Sequence, residues 1–195
     1  MKIDVIGRGK LSWLVEDILT KDKLRFFDDT VKGVQGTKES DGDNIFVSIG
    51  NNAYRKELFE FYKARNIISV ISELSFVSSR SIIGAGAFIN NFSSVHTNAK
   101  LGLGCFIHPN SIIDVGATVG DFCRIGSQVY IGENVKIGNN CILASGVNIL
   151  PNITIGDNCH ICAGTVVNRS FGDDETIVGY PARSVKGNNE LHRRE

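Results

Sequence analysis

Residues 125–149 read IGSQVYIGENVKIGNNCILASGVNI, with an aliphatic residue at every sixth position: Ile125, Ile131, Ile137, Leu143 and Ile149. Neither common period explains this, because an amphipathic helix repeats about every 3.6 residues and a half-buried strand about every two. Worked outward, the spacing runs without interruption from Val77 to Val167, through Ile83, Ile89, Val95, Leu101, Ile107, Ile113, Val119, Ile155 and Ile161. Three residues after the aliphatic stands mostly Gly or Asn, as at Gly104, Asn110, Asn134 and Gly164. These residues tolerate left-handed backbone angles at a tight corner. One place further on comes a small or β-branched residue, such as Ala99, Ser111, Val135 or Thr165. Hexapeptide repeats of this kind mark a parallel β-helix. Three short sides make a coil of 18 residues, with the aliphatic and small side chains inward. Such a stack needs capped ends, which the segments before and after it could supply.

Upstream the pattern is different. KIDVIG reads as an apolar strand ending at Gly7, and LSWLVEDILTK as a helix with Ser12 as a candidate N-cap. LRFFDD and NIFVSIG read as strands, NNAYRKELFEFYKARN as a helix entered from Asn51 or Asn52, and IISVI as a fourth strand. The alternation predicts a small parallel α/β unit, Rossmann-like in order, over residues 1–75. A β-helix is expected over 76–183 and a polar tail over 184–195. Two strands end in glycine before a helix, at IGRG and IGNN. Open α/β sheets bind ligands there, beside helix N-terminal amides, although such turns also occur without any ligand.

Lys plus Arg equals Asp plus Glu at 21 each, so no field draws this chain to nucleic acid or to an anionic membrane. No apolar run approaches a membrane span, and MKIDVIG, interrupted by Asp4, reads as a strand and not a signal peptide. A cytoplasmic location with reduced thiols is expected. Cys159 and Cys162 form a lone CxxC with no partner pair, so no zinc site is expected.

The 18-residue register stacks Cys105, Cys123, Cys141 and Cys159 at the inward small position, where they read as core filler. It also places His96 beside Asp114, both one residue past an inward aliphatic at a corner. A carboxylate next to an imidazole fixes its tautomer and raises its basicity, as a general base requires. A solvated histidine with a surface hydrogen bond is the plainer alternative. His108 falls on another corner, His160 on a flat face and His192 in the tail, so these three are not expected to converge.

Taken together, FFDD at 26–29, SIGNNAYRKEL at 48–58, GENVKIGNNC at 132–141, LPNITIGDN at 150–158 and VGYPAR at 178–183 resemble the bacterial sugar acyltransferases of the PglD/NeuD type. The resemblance covers roughly residues 2–185. It implies a nucleotide-binding α/β domain joined to a left-handed β-helix, assembled as a homotrimer with active sites between neighbouring β-helices. It also implies acetyl-CoA as donor, and as acceptor a sugar amino or hydroxyl group, often nucleotide-linked, as in polysaccharide biosynthesis. The acceptor would be held by Gly7, Arg8, Gly9, Asp28, Asp29, Gly50, Asn51 and Asn52. Acyl-CoA would lie near Arg124, Ser145, Gly146, Ala163 and Gly164, with Arg183 near its end.

The family's base is a histidine that follows an acidic residue at a β-helix corner. Here the acid matches Asp114, but the next residue is Val115. In the first loop, Lys10, Leu11 and Ser12 replace the family's Gly, His and Gly. Three readings follow. His96 serves as base with Asp114 as its orienter; or a neutral amine attacks the thioester unaided; or the chain is a non-catalytic trimeric scaffold or regulatory homologue.

Overall fold

Strand β1 (Lys2–Ile6) pairs in parallel with both β2 (Lys23–Phe27) and β3 (Asn44–Val47), and β4 (Asn66–Ile67) extends the sheet to the order β2-β1-β3-β4. A central parallel strand must be apolar on both faces, and Ile3, Val5 and Ile6 are fully buried. Asp4 is buried among them, so its charge needs partners. Arg25 donates to both its oxygens and Ser40 to one. Helix α1 (Lys10–Ile18) follows β1, and α2 (Asn52–Phe61) follows β3. The computed structural model describes residues 1–185. His192 and most of the polar tail therefore lie outside the described residues.

Two local readings need correction. Ser12 is not the N-cap of α1: Gly9 is, and Ser12 sits inside the first turn with its hydroxyl donating to the Gly9 carbonyl at 2.9 Å. The sequence NNAYR, in contrast, is capped by Asn51, whose Oδ1 accepts the Tyr54 N–H at 2.9 Å. IISVI is also not one strand. Ile67 closes the N-terminal sheet, whereas Val70–Ile71 already pairs with Phe88–Ile89 in the prism.

From there the chain winds through three parallel sheets of five, eight and six strands. Ile113 pairs with Ile131, Ile131 with Ile149 and Ile149 with Val167, which is the 18-residue register. From Ile89 on, every aliphatic of the repeat is at most 4 % exposed. Stacked parallel sheets on a hexapeptide repeat fit a left-handed β-helix. At the corners, Asn98, Asn110, Asn134, Asn140, Asn152 and Asn158 have φ near +60°. Phe122, with φ of 55°, takes the same conformation at a cost of about 1 kcal/mol or more. Its ring packs edge-on against Phe59 at 5.1 Å, which offsets that strain.

The cysteine ladder is buried and unoxidised, and it does more than fill space. Cys105, Cys123, Cys141 and Cys159 donate to the carbonyls of Gly120, Gly138, Gly156 and Gly172 at 3.0–3.1 Å. Ser111 occupies the same inward place and donates to Gly126 O at 2.7 Å. Each hydroxyl or thiol thus satisfies a corner carbonyl of the next coil.

The last coil is shorter. His160 pairs with Thr176, a step of 16 residues, and Thr176–Val178 then meets Arg183–Val185 antiparallel. That reversal covers the last open strand edge of its sheet. The N-terminal unit lies against the eight-stranded face, where Phe46 packs on Phe88 and Phe106 with ring centroids 6.1 and 6.2 Å away. Arg55, fully buried, locks this junction. It donates to the carbonyls of Ile49 and Gly50 in its own unit and of Gly104 and Phe122 in the prism, as well as to Asn52 Oδ1. Its guanidinium lies 4.2 Å from the centre of the Phe106 ring.

Candidate active site

His96 follows the strand Ser94–Val95 in the six-stranded sheet, and the register brings it beside Asp114 one coil on. His96 Nδ1 lies 3.4 Å from Asp114 Oδ1. On the other side of the ring, Nε2 lies 3.2 Å from Ser94 Oγ. The edge of Phe76 meets the imidazole at 5.9 Å between centroids. Asp114 is itself fixed, since its Oδ1 accepts the Val115 N–H at 2.7 Å and its Oδ2 the Tyr130 hydroxyl at 2.8 Å. Burial alone would raise the Asp114 carboxyl, but these two donors and His96 outweigh it and hold its pKa below the usual range. The same bond pushes the Tyr130 hydroxyl up. His96 is half-exposed, and Phe76, Ile112, Val115 and Leu150 are exposed apolar residues.

Ser94, Tyr130 and Phe76 did not figure among the sequence candidates. Their signal was present in the column next to that of His96, where Phe76, Ser94, Ile112 and Tyr130 follow one another at 18-residue steps.

A second group lies at the opposite edge of the six-stranded sheet. Arg124, Ser145, His108 and His160 line a depression of about 270 Å³ with Ser127 and Ala144. His108 and His160 stand at different heights of that depression, three coils apart along the column Phe106, Arg124, Ile142 and His160. Burial, reinforced by Arg124, pushes the His108 imidazole down, so it is neutral at pH 7. Gly146 and Gly164 have φ of +72° and +67°, and a Cβ on Gly146 would meet only the Cα and N of Gly164, at 3.9 Å. Ala163 immediately precedes that second glycine corner. Arg183 is elsewhere, in a depression of about 590 Å³ with Asn168, Arg169 and Tyr180. Among the described residues, no group of three or more His, Cys, Asp or Glu is placed to hold a metal ion.

The N-terminal candidates gather at the C-terminal ends of β1, β2 and β3. Gly7, with φ of +104°, packs so closely that a Cβ would come 2.8 Å from Ser48 O. Arg8 N–H donates to Asp28 Oδ2 at 2.7 Å, and Thr30 donates to Oδ1 through both its N–H and its hydroxyl. Burial opposes this, yet the three donors hold the Asp28 carboxyl below its ordinary pKa. Asp29 accepts from Thr37 and Tyr54, which lower its pKa too. Gly9 and Gly50 have open space where a Cβ would stand. Asn52 points the other way, into the prism. Its amide donates to Asn140 Oδ1 at 3.1 Å, and Asn140 donates to Asn158 at 2.9 Å. Asn52 therefore ends an asparagine ladder at the junction.

Within one chain, the His96 corner and the Arg124–Ser145 corner flank the six-stranded sheet on opposite sides. A single prism does not bring them together.

Residues 116–150 match the bacterial transferase hexapeptide (six repeats) family. No curated protein sequence matches the chain. Among solved structures, PerB from Caulobacter crescentus in complex with CoA and GDP-perosamine has a TM-score of 0.88 at 22% identity, covering 95% of this chain and 98% of that one. The acetyltransferase domain of PglB from Neisseria gonorrhoeae in complex with acetyl coenzyme A has a TM-score of 0.73 at 22% identity, covering 94% and 98%. WeeI from Acinetobacter baumannii has a TM-score of 0.74 at 20% identity, covering 95% and 100%. Consistent with the PglD/NeuD-type resemblance, the chain is a hexapeptide-repeat protein with the fold of these structures along almost its whole described length.

Proposed function

We propose that this protein is an acyl-CoA-dependent transferase that moves an acyl group, acetyl first among them, onto an amino or hydroxyl group of a nucleotide-linked sugar. The observation that carries the reading is the His96–Asp114 pair at 3.4 Å, on a fold shared with structures that hold CoA and a nucleotide sugar. Nδ1 lies 3.4 Å from Asp114 Oδ1, and in the tautomer that carries its proton on Nδ1 the Nε2 lone pair can take a proton. It removes one from the acceptor as nitrogen or oxygen attacks the thioester carbon, and CoA leaves as the thiolate.

In this reading residues 1–75 bind the acceptor through Gly7, Arg8, Gly9, Asp28, Asp29, Gly50 and Asn51, with Asn52 behind them. Residues 76–183 bind acetyl-CoA through Arg124, Ser145, Gly146, Ala163, Gly164 and Arg183, and 184–195 form the tail. The active unit is a homotrimer, because the base and the donor groove lie on opposite edges of one sheet. Packing of prisms around the exposed Phe76, Ile112, Val115 and Leu150 would join the His96 edge of one protomer to the groove of its neighbour. The setting is cytoplasmic, without nucleic acid or membrane insertion.

The test is calorimetric titration of the purified chain with acetyl-CoA, followed by product analysis against nucleotide-linked and free amino sugars. Binding with transfer to one acceptor class supports the reading. Val115, in the place of the family's histidine, favours a non-catalytic scaffold instead, and absence of both binding and turnover would establish that alternative.

A further inference from the structure

We propose that His108 closes the N-terminal end of the donor groove and so limits the size of the acyl group that the protein accepts. This deepens the acyl-CoA reading of the same groove, on which it rests. His108 stands one residue past the inward Ile107, at a corner of the prism. The 18-residue register places Asn90 beneath it and Gly126, Ala144 and Cys162 above it. Gly126 presents no side chain and Ala144 only a methyl group, so the corner above His108 is shallow. A Cβ on Gly126 would come 2.7 Å from Ser145 N, so a larger residue there must displace the next coil. These positions, flanked by Ser127 and Ser145, line the depression of about 270 Å³, and His108 is its residue nearest the N-terminal coils. Asn90 does not extend it. Only 2% of Asn90 is exposed, and its Oδ1 turns back to accept the Asn91 N–H at 2.6 Å. The groove therefore has a floor, and the floor is the His108 ring.

The two ends of a CoA thioester differ, with phosphates at one and the acyl group at the other. Arg169 and Arg183 line the depression at the C-terminal end of the prism, and Arg183–Val185 is the last strand of the eight-stranded sheet. That end suits the phosphates. The acceptor candidates belong to the N-terminal unit, which lies at the other end of the same sheet, where Phe46 packs on Phe88 and Phe106. His108 directly follows the strand Phe106–Ile107. A donor with its phosphates toward Arg183 and its thioester toward the acceptor brings its acyl group to His108.

Burial, reinforced by Arg124, keeps this imidazole neutral at pH 7, so the acyl group meets a flat ring and not a cation. In this arrangement the acetyl methyl rests against the ring. Each further methylene must push the ring aside or draw the thioester carbon away from the acceptor, and overfilling a packed site is unfavourable. One methylene in such a pocket changes specificity by ~10–200-fold. His108 takes no proton in this role, and direct attack on the thioester is unaltered.

The experiment compares acetyl-CoA, propionyl-CoA and butyryl-CoA as ligands of the full chain, of His108→Ala and of His108→Phe. Calorimetry gives the affinity for each donor, and kcat/KM is measured with any acceptor that is turned over. The native chain should disfavour butyryl-CoA against acetyl-CoA by at least ~10-fold. His108→Ala, which repeats the methyl group of Ala144, should reduce that preference by at least ~10-fold. His108→Phe restores the bulk without the nitrogens and should keep it. A variant that merely folds poorly would weaken all three donors alike and leave their ratio unmoved. Equal acceptance of acetyl and butyryl by the native chain, or a ratio unmoved in His108→Ala, would overturn the proposal and leave the acyltransferase reading standing. Failure of the native chain to bind any of the three thioesters would overturn that reading and the proposal together.

Discussion

His96 Nδ1 stands 3.4 Å from Asp114 Oδ1, one coil away along the prism and on the same corner. The two residues are 18 apart in the chain, and only the coiling makes them neighbours. On the proposed function, this pairing would supply the base, since Val115 follows Asp114 where the resembled family has a histidine.

Replacing His96 by Ala should lower kcat at least ~100-fold, the lower end of what a positioned base contributes. Acetyl-CoA affinity and trimer mass should be unchanged. Steady-state kinetics with calorimetry and light scattering check this, and a mild loss would favour unaided attack by the amine.

Tyr130→Phe removes the donor to Asp114 Oδ2, so the Asp114 pKa should rise toward its ordinary value. In the native protein this lowered carboxyl contributes stability above its unfolded pKa, and that stability fades as pH falls through the folded one. The variant should therefore lose about 1 kcal/mol at neutral pH and show a weaker acid dependence below pH about 4. Urea titrations at several pH values would reveal it.

Arg55→Met should uncouple the two parts of the molecule. It leaves the carbonyls of Ile49, Gly50, Gly104 and Phe122 without the guanidinium that now serves them. Burial pulls the Arg55 pKa down to about 10, yet it remains charged at neutral pH and its loss is felt in full. A cost of about 1–3 kcal/mol for each buried carbonyl left unsatisfied is expected. Calorimetry should resolve two unfolding transitions, with the prism melting last.

In the native protein a maleimide should modify Cys162 alone. Cys105, Cys123, Cys141 and Cys159 are buried, and Cys162 is only partly so. Burial pushes the Cys162 thiol up, so labelling should be slow at pH 7 and accelerate at higher pH. Labelling at the ladder without denaturant would contradict the packing described.

His108 should titrate below an ordinary histidine, because burial and then Arg124 both disfavour its charged form. With the folded pKa depressed, its contribution to stability is complete above the unfolded value near 6.5 and is lost as pH falls toward the folded one. Arg124→Gln should move the His108 titration back upward, as followed by NMR of the ring protons.

The prism was readable from residue spacing alone. A six-residue aliphatic period admits one way of burying every inward side chain, so the coil, its corners and the 18-residue columns all follow from it. The helices and strands of the first unit were readable in outline, while Ser12 and IISVI were misplaced. A hydroxyl can bond backward into a turn as readily as cap it, and a short apolar run carries no mark of which sheet it joins. The columns also paired His96 with Asp114. They could not reveal that Ser94 and Tyr130 complete the group, since the direction of an outward side chain depends on rotamers set by its neighbours. Arg55 was equally hidden. An arginine in an amphipathic helix looks solvated until another unit of the chain packs over it and its hydrogen-bonding capacity must be met by carbonyls from both sides. Periodicity therefore determines what lies inside this protein, and tertiary packing decides which outward groups meet.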